Sequence, residues 1–394
     1  MVNATQVSFF TLSAYFDTGI FKYLYLIIVI CLYIVIICTN LLLIVVICMN
    51  RSLHEPMYLF LCSLFVNELY GSTGLFPFLL VQILSDIHTV SAPFCFLQIF
   101  CLFSYGGREF WTLAIMSYDR YLAICYPLQY YTRMTSKKIA ILIALTWLFP
   151  SLTNALVVFG LTAPLQLCGN IINKVYCDNY SVVKLACSDT RVNNIFGLVD
   201  IFTVNCSLII LILFSYMRIL KVCLSGSKQT RQKALSTCTP HLFSLLNFSC
   251  GAFFEIVQSR FNMNYLPNML RIFLSLYWLT CQPLINPLLY GLKLSKIRII
   301  CRLLLFGGKS ASSPAYYSIE EDAGNNRLVK HPEELAADNK GLQPPQEEQI
   351  GNMDADDARR LLIRVMDREP GLIFDVLQPA AQGAEAPLQG VPDL

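Results

Sequence analysis

The sequence predicts an all-α membrane protein: a seven-transmembrane helix bundle with a short amphipathic surface helix and a mostly disordered acidic C-terminal tail. Three observations predict it. Hydrophobic residues make up 55% of the 394 residues and charged residues only 14%, against about 25% charge in a soluble domain. The apolar residues come in seven blocks, each with the roughly 20 residues that cross a bilayer. Lys and Arg concentrate in alternate loops between those blocks, the bias that orients membrane helices.

The blocks are residues 24–49, 56–81, 95–121, 139–159, 194–222, 235–258 and 268–291. A basic amphipathic stretch from Lys293 to Phe306 follows, and reads as a helix lying on the membrane surface. With residues 1–23 outside, the inner segments hold fourteen Lys and Arg and the outer side six. The expected placement is the plasma membrane, multi-pass, with the N-terminus extracellular and the C-terminus cytoplasmic. No basic region precedes a short apolar core, so a cleaved signal peptide is not expected; the first helix serves as signal anchor. Asn3-Ala4-Thr5 is a glycosylation sequon on the outer side.

Charge marks the domain boundary. Residues 1–308 hold 21 Lys and Arg against 10 Asp and Glu, a net +11, while residues 309–394 hold 8 against 16, a net −8. The organisation is an N-terminus at 1–23, a helical domain at 24–306 and an acidic tail at 307–394. The tail is poor in aromatics and reads as mostly disordered. Residues 354–369 are the exception: acidic at the start, basic later, with Leu361, Leu362, Val365 and Met366 as an apolar stripe and Pro370-Gly371 as the stop.

Most of the 16 cysteines sit inside apolar runs, where Cys behaves as a small hydrophobe. Four lie on the outer side: Cys95, Cys168, Cys177 and Cys187. The secretory route is oxidising, so disulfides are expected there, and the sequence alone leaves three pairings open. No cysteine pair with nearby His suggests zinc.

Charges inside spans are functional candidates by default. Glu68 and Glu109 are two such carboxylates. With Asn40 and Asn286 they form a candidate sodium site, since hard cations take oxygen ligands. Arg108 adjoins Glu109 as a possible neutraliser. Arg108, Asp200 and Glu255 are the unusual charges at outer or middle depth. At the far end of the third block stands Asp119-Arg120-Tyr121. Arg120 can pair with its neighbour Asp119, and a cation there also suits the exposed carbonyls of a helix end. In Asn286-Pro287-Leu288-Leu289-Tyr290, Pro287 removes a backbone donor and permits a kink.

Four motifs in order carry a family resemblance over nearly all of residues 20–305. They are Leu53-His54-Glu55-Pro56-Met57-Tyr58-Leu59-Phe60-Leu61, Met116-Ser117-Tyr118-Asp119-Arg120-Tyr121, Lys233-Ala234-Leu235-Ser236-Thr237-Cys238-Thr239-Pro240-His241-Leu242, and Pro283-Leu284-Ile285-Asn286-Pro287-Leu288-Leu289-Tyr290. The chain resembles the odorant receptors, a branch of the rhodopsin-like G protein-coupled receptors. Val66-Asn67-Glu68-Leu69-Tyr70-Gly71 looks more like fish members than mammalian ones. Glu68 stands where seven-helix receptors usually have Asp.

The resemblance implies a switch built from Asp119, Arg120, Tyr121, Asn286, Pro287 and Tyr290, with Tyr290 swinging to meet Tyr216 of the fifth helix. It implies disulfides Cys95–Cys177 and Cys168–Cys187, folding the second outer loop as a lid. The pocket is expected beneath that lid. It would be lined by Leu102, Phe103, Gly106 and Gly107 of the third helix, Val199 and Thr203 of the fifth, and Ser249, Phe253 and Phe254 of the sixth. Ser249 sits about where many receptors carry an aromatic switch residue. The basic run Lys228-Gln229-Thr230-Arg231-Gln232-Lys233 suits anionic lipid and a G protein alike.

The expected function is an odorant receptor without bond chemistry. Its partners are a small-molecule odorant, a heterotrimeric G protein of the stimulatory, olfactory type and the lipid bilayer, with no nucleic acid. It has no cofactor beyond the candidate sodium ion. A metabolite sensor of the same fold is the alternative. A transporter or channel is disfavoured because the spans show no inverted repeat. An enzyme is disfavoured because no nucleophile–base or metal set stands in the sequence.

Overall fold

In the computed structural model the described residues are 7–15, 19–199, 206–225, 228–261, 266–306, 317–322 and 325–330. They fall in two units, Met1–Ser312 and Ser313–Leu394. The first unit is a helix bundle. Its long helices are α1 (Phe21–Met49), α2 (Pro56–Leu84), α3 (Ala92–Cys125), α4 (Ser136–Ala155), α5 (Cys206–Ser225), α6 (Lys228–Arg260) and α7 (Asn268–Lys293), followed by α8 (Ser295–Phe306).

Local sequence sets these boundaries. Pro56 opens α2 at the first turn, where its missing N–H costs nothing. Thr135 caps α4 by accepting from the Lys138 amide. The end of α4 continues through a wide π-type turn, Leu156–Thr162. The expected fifth block is represented by Arg191–Val199 and α5, with residues 200–205 outside the described set. α6 starts at Lys228, ahead of the expected 235.

Among the described residues, five helical stretches are long and apolar enough to cross a membrane: α1, α2, Ser136–Thr162, Cys238–Arg260 and α7. α3 falls outside that group and carries Arg108, Glu109, Asp119 and Arg120, all but Arg120 buried. It is the central rod, packed against α2, α4, α5 and α6; at ~1.5 Å per residue its length is ~50 Å. α1 is peripheral. It buries Ile36, Asn40, Leu43 and Ile47, one stripe at helical spacing, and exposes Leu24, Ile27, Ile28 and Ile34. Those outward apolar side chains suit lipid.

A small sheet closes one end of the bundle. β1 (Phe9–Leu12) lies between β2 (Thr89–Ser91) and β3 (Ile171–Ile172). It runs antiparallel to β2, with Phe10 opposite Val90, and parallel to β3, with Thr11 opposite Ile171. The strand period of two turns Phe10 and Leu12 into the core and leaves Phe9 exposed. The sequence alone predicts no strand in residues 1–23.

In the second unit, β4 (Tyr317–Asp322) pairs antiparallel with β5 (Asn325–Lys330), where composition had suggested no regular structure. The expected helix at 354–369 lies outside the described residues, as do Asn3 and Thr203.

Candidate functional site

Two carboxylates meet in the middle of the bundle. Glu68 of α2 and Glu109 of α3 are both fully buried. The Asn286 side-chain amide of α7 bridges them, donating to Glu68 Oε1 at 2.5 Å and Glu109 Oε1 at 3.0 Å. Tyr105 donates its hydroxyl to Glu68 Oε2 at 3.0 Å, and Asn67 and Gln282 donate to Glu109 at 3.3 Å each. Ser244 of α6 donates to Asn286 Oδ1 at 2.8 Å and accepts from Gln282 at 2.8 Å. One polar layer therefore ties α2, α3, α6 and α7 together.

Backbone chemistry makes this layer possible. A Cβ on Gly71 would lie 2.4 Å from the Tyr105 ring, so only glycine lets that ring cross α2 and reach Glu68. Pro287 has no N–H to give the Pro283 carbonyl one turn back. Asn40 supplies the missing donor, at 2.9 Å from Pro283 O. Asn40 thus fastens α1 to α7. Its Oδ1, with Asn67 Oδ1 and Ser72 Oγ, is buried without a hydrogen-bond partner. A layer of two carboxylates and orphaned oxygens fits a hard monovalent cation.

Arg108 does not neutralise Glu109. Its guanidinium packs between the Tyr70 and Trp147 rings, at 4.3 and 4.4 Å, and donates to Ser151 Oγ at 2.7 Å. It serves the α3–α4 seam instead. Among the described residues, no three His, Cys, Asp or Glu side chains group as a metal site.

At the end of the bundle away from the sheet, Arg120 closes on Asp119, with Nε at 3.0 Å and Nη2 at 2.5 Å from Oδ2. Tyr130, in the short helix Tyr130–Arg133, donates to the other oxygen, Asp119 Oδ1, at 2.6 Å. Sequence reasoning missed Tyr130. Tyr121 approaches Tyr126, hydroxyl to hydroxyl at 3.4 Å. Tyr290 is fully buried and shares a hydrogen bond with His241 Nδ1 at 3.1 Å. It makes no hydrogen bond to Tyr216, whose hydroxyl is buried without a hydrogen-bond partner. His241 belongs to the sixth-helix motif, and its pairing with Tyr290 emerges only from the fold.

At the sheet end, disulfides join Cys95 to Cys177 and Cys168 to Cys187. They hold the segment between α4 and α5 over the bundle. Gln98 accepts from the Cys177 amide at 2.9 Å, and Tyr15 of the N-terminal segment donates to Val175 O at 2.8 Å. Beneath this lid, Lys174 pairs with Glu255 of α6, donates to Ser259 Oγ at 2.8 Å and lies 3.5 Å from Asp178. Burial pulls the Lys174 ammonium down, but Asp178 and Glu255 outweigh it and lift the group above an ordinary lysine, so it stays charged. Tyr176 donates to Glu255 Oε1 at 2.8 Å. Its phenol is pushed up by burial and by the Glu255 and Asp178 charges. Glu255, one of the three unusual charges, therefore has a cation; Asp200 lies outside the described residues.

A model of the olfactory receptor family matches residues 29–306. This chain belongs to the olfactory receptor family. Human Olfactory receptor 52N4 is 34% identical over 284 residues, covering 72% of this chain and 88% of that protein. Human Olfactory receptor 52N5 is 35% identical over 270 residues, covering 68% and 83%. Squid rhodopsin has a TM-score of 0.58 at 18% identity, covering 74% of this chain and 82% of its own. That likeness shows the rhodopsin-like seven-helix fold. The receptor is a multi-pass plasma membrane protein, and its family is not one of enzymes.

Several expected pocket residues of this receptor face elsewhere. Gly107 abuts α4, where a Cβ would lie 2.8 Å from Pro150. Phe253 and Phe254 are 63% and 48% exposed. The inward face of α6 is set by Phe248, Gly251 and Glu255, and Gly251 is pressed against Trp278 of α7. Phe103 and Val199, the latter in the helix Arg191–Val199, are both exposed. Leu102 is buried, and Gly106 faces Trp278 and Phe248. Ser249 keeps a buried hydroxyl without a hydrogen-bond partner. The aromatic of α6 is its neighbour Phe248, whose ring packs on Phe110 at 4.8 Å and Tyr105 at 6.2 Å.

Proposed function

We propose that this chain is an odorant receptor that binds a small molecule beneath the sheet and disulfide lid and activates a heterotrimeric G protein at the opposite end. The lid end faces outside and the Arg120 end the cytoplasm, as the Lys and Arg bias supports. The transducer is of the stimulatory, olfactory type, raising cyclic AMP. The observation that carries the reading is the closed Asp119–Arg120 pair with Tyr130 as third member. It is a resting state that release of Arg120 would open.

The polar layer links the two ends. Ser244 and His241 of α6 both bond to α7, so a movement of α6 at the lid end breaks contacts on Asn286 and Tyr290 in turn. A sodium ion held by Glu68, Glu109, Asn286 and the Asn40 side would neutralise the carboxylates and favour the closed arrangement. Tyr290, freed from His241, is the group that reaches Tyr216.

The test is a transfected-cell assay. Cells carrying the receptor raise cyclic AMP to some member of an odorant panel. Arg120→Ala abolishes the response while surface expression persists. Ligand-gated currents or uptake without any G protein would contradict the proposal.

A further inference from the structure

The Lys174 cluster does more than fasten the lid. Glu255 uses one carboxylate oxygen for both Lys174 and Tyr176, while Oε2 is buried with no hydrogen-bond partner. A carboxylate offers about four acceptor sites across its two oxygens, so half of this group is unspent. The Lys174 ammonium sits between Glu255, the Ser259 hydroxyl and the Tyr176 ring, whose centroid is 5.7 Å away. An anion, a hydroxyl and an aromatic face are what an amine ligand requires. The lid is presenting the protein's own primary amine to that site.

We infer that Glu255 recognises a protonated amine ligand, which takes the place that the Lys174 ammonium holds in the closed lid. The sign of the ligand follows from what each exchange leaves behind. An amine that displaces Lys174 keeps Glu255 paired, and Lys174 falls back on Asp178, its partner four residues on at 3.5 Å within the lid. Every buried charge stays compensated. A carboxylate ligand drawn to Lys174 would add a third anion to Glu255 and Asp178 around one cation, and an uncompensated buried charge is strongly unfavourable. Lys184, also in the lid, donates to the Ser259 backbone carbonyl at 2.7 Å. Arg260 lies over the Tyr180 ring at 4.0 Å.

The same exchange removes the Lys174 tie between the lid and α6. Glu255 stands one turn beyond Gly251, which packs on Trp278, and Ser275, one turn before Trp278, bonds to Tyr176. This inference rests on the receptor reading only in taking the lid end as the ligand side.

Hexylamine, hexanoate and 1-hexanol are the probes, added to purified receptor in nanodiscs with thermal stability as the readout. Hexylamine raises the melting temperature, and the other two do not. Glu255→Gln raises the half-saturating hexylamine concentration at least about tenfold, and Lys174→Met, which removes the competitor, lowers it about tenfold. Stabilisation by hexanoate with hexylamine inert, or weaker or unchanged hexylamine binding in Lys174→Met, overturns the inference. Should Glu255→Gln not fold, Lys174→Met alone decides, on the same two outcomes. Receptor that still signals through Arg120 to other odorants but never binds hexylamine sinks the amine site alone. Hexylamine that binds as expected without ever engaging a G protein supports the site and sinks the receptor reading.

Discussion

Asp119 accepts from Arg120 on one oxygen and from Tyr130 on the other. A hydrogen bond to a charged group contributes ~1.5–3 kcal/mol. Tyr130→Phe removes one such bond while leaving the ring in place. The expected outcome is a several-fold rise in ligand-free cyclic AMP with little loss of surface protein. Unchanged basal signalling would show that Tyr130 only packs. Asp119 and Arg120 were legible because two adjacent charges at a span end are costly without a purpose. Tyr130 was not legible: it looks like any interfacial aromatic until the loop folds it under α3. Lys174 was hidden for the same reason, since its partner Glu255 lies 81 residues away.

Helices and their faces were only half legible. Spans, caps and prolines follow from length and local chemistry, and seven blocks became the bundle. The faces of α6 did not follow. In water, large apolar side chains point to the core; in lipid, both directions are apolar and close packing favours small residues at the seam. Gly251 faces α7 while Phe253 and Phe254 point out, the reverse of the expected pocket. Gly71 obeys the same logic on α2. Gly71→Ala places a methyl inside the Tyr105 ring position, and overpacking of this kind costs ~1–3 kcal/mol. A fall of several degrees in the melting temperature of purified receptor is expected, and an unaltered one would mean that Tyr105 has room to move. The polar layer makes a separate prediction. Raising sodium from millimolar to physiological concentration weakens agonist binding in the parent protein and has no effect in Glu68→Ala; equal sodium dependence in both would remove the ion from the account.

Across the whole molecule, the lid, the polar layer and the Asp119–Arg120 clamp lie on one line of contacts through α3, α6 and α7. Sequence motifs marked the clamp and the layer, which use residues the helices carry at fixed spacings. The lid depends on chain segments far apart in sequence: residues 9–12, 89–91 and 171–172 form its sheet, and no local pattern announces that pairing. The central claim is that ligand at the lid end opens the clamp to a G protein. Nucleotide exchange on purified stimulatory G protein, with receptor in nanodiscs and an agonist from the odorant panel, tests it most directly. The account predicts agonist-driven exchange in the parent receptor and none in Arg120→Ala, with agonist binding retained in both. Exchange that persists in Arg120→Ala, or agonist binding that never drives exchange, would contradict it.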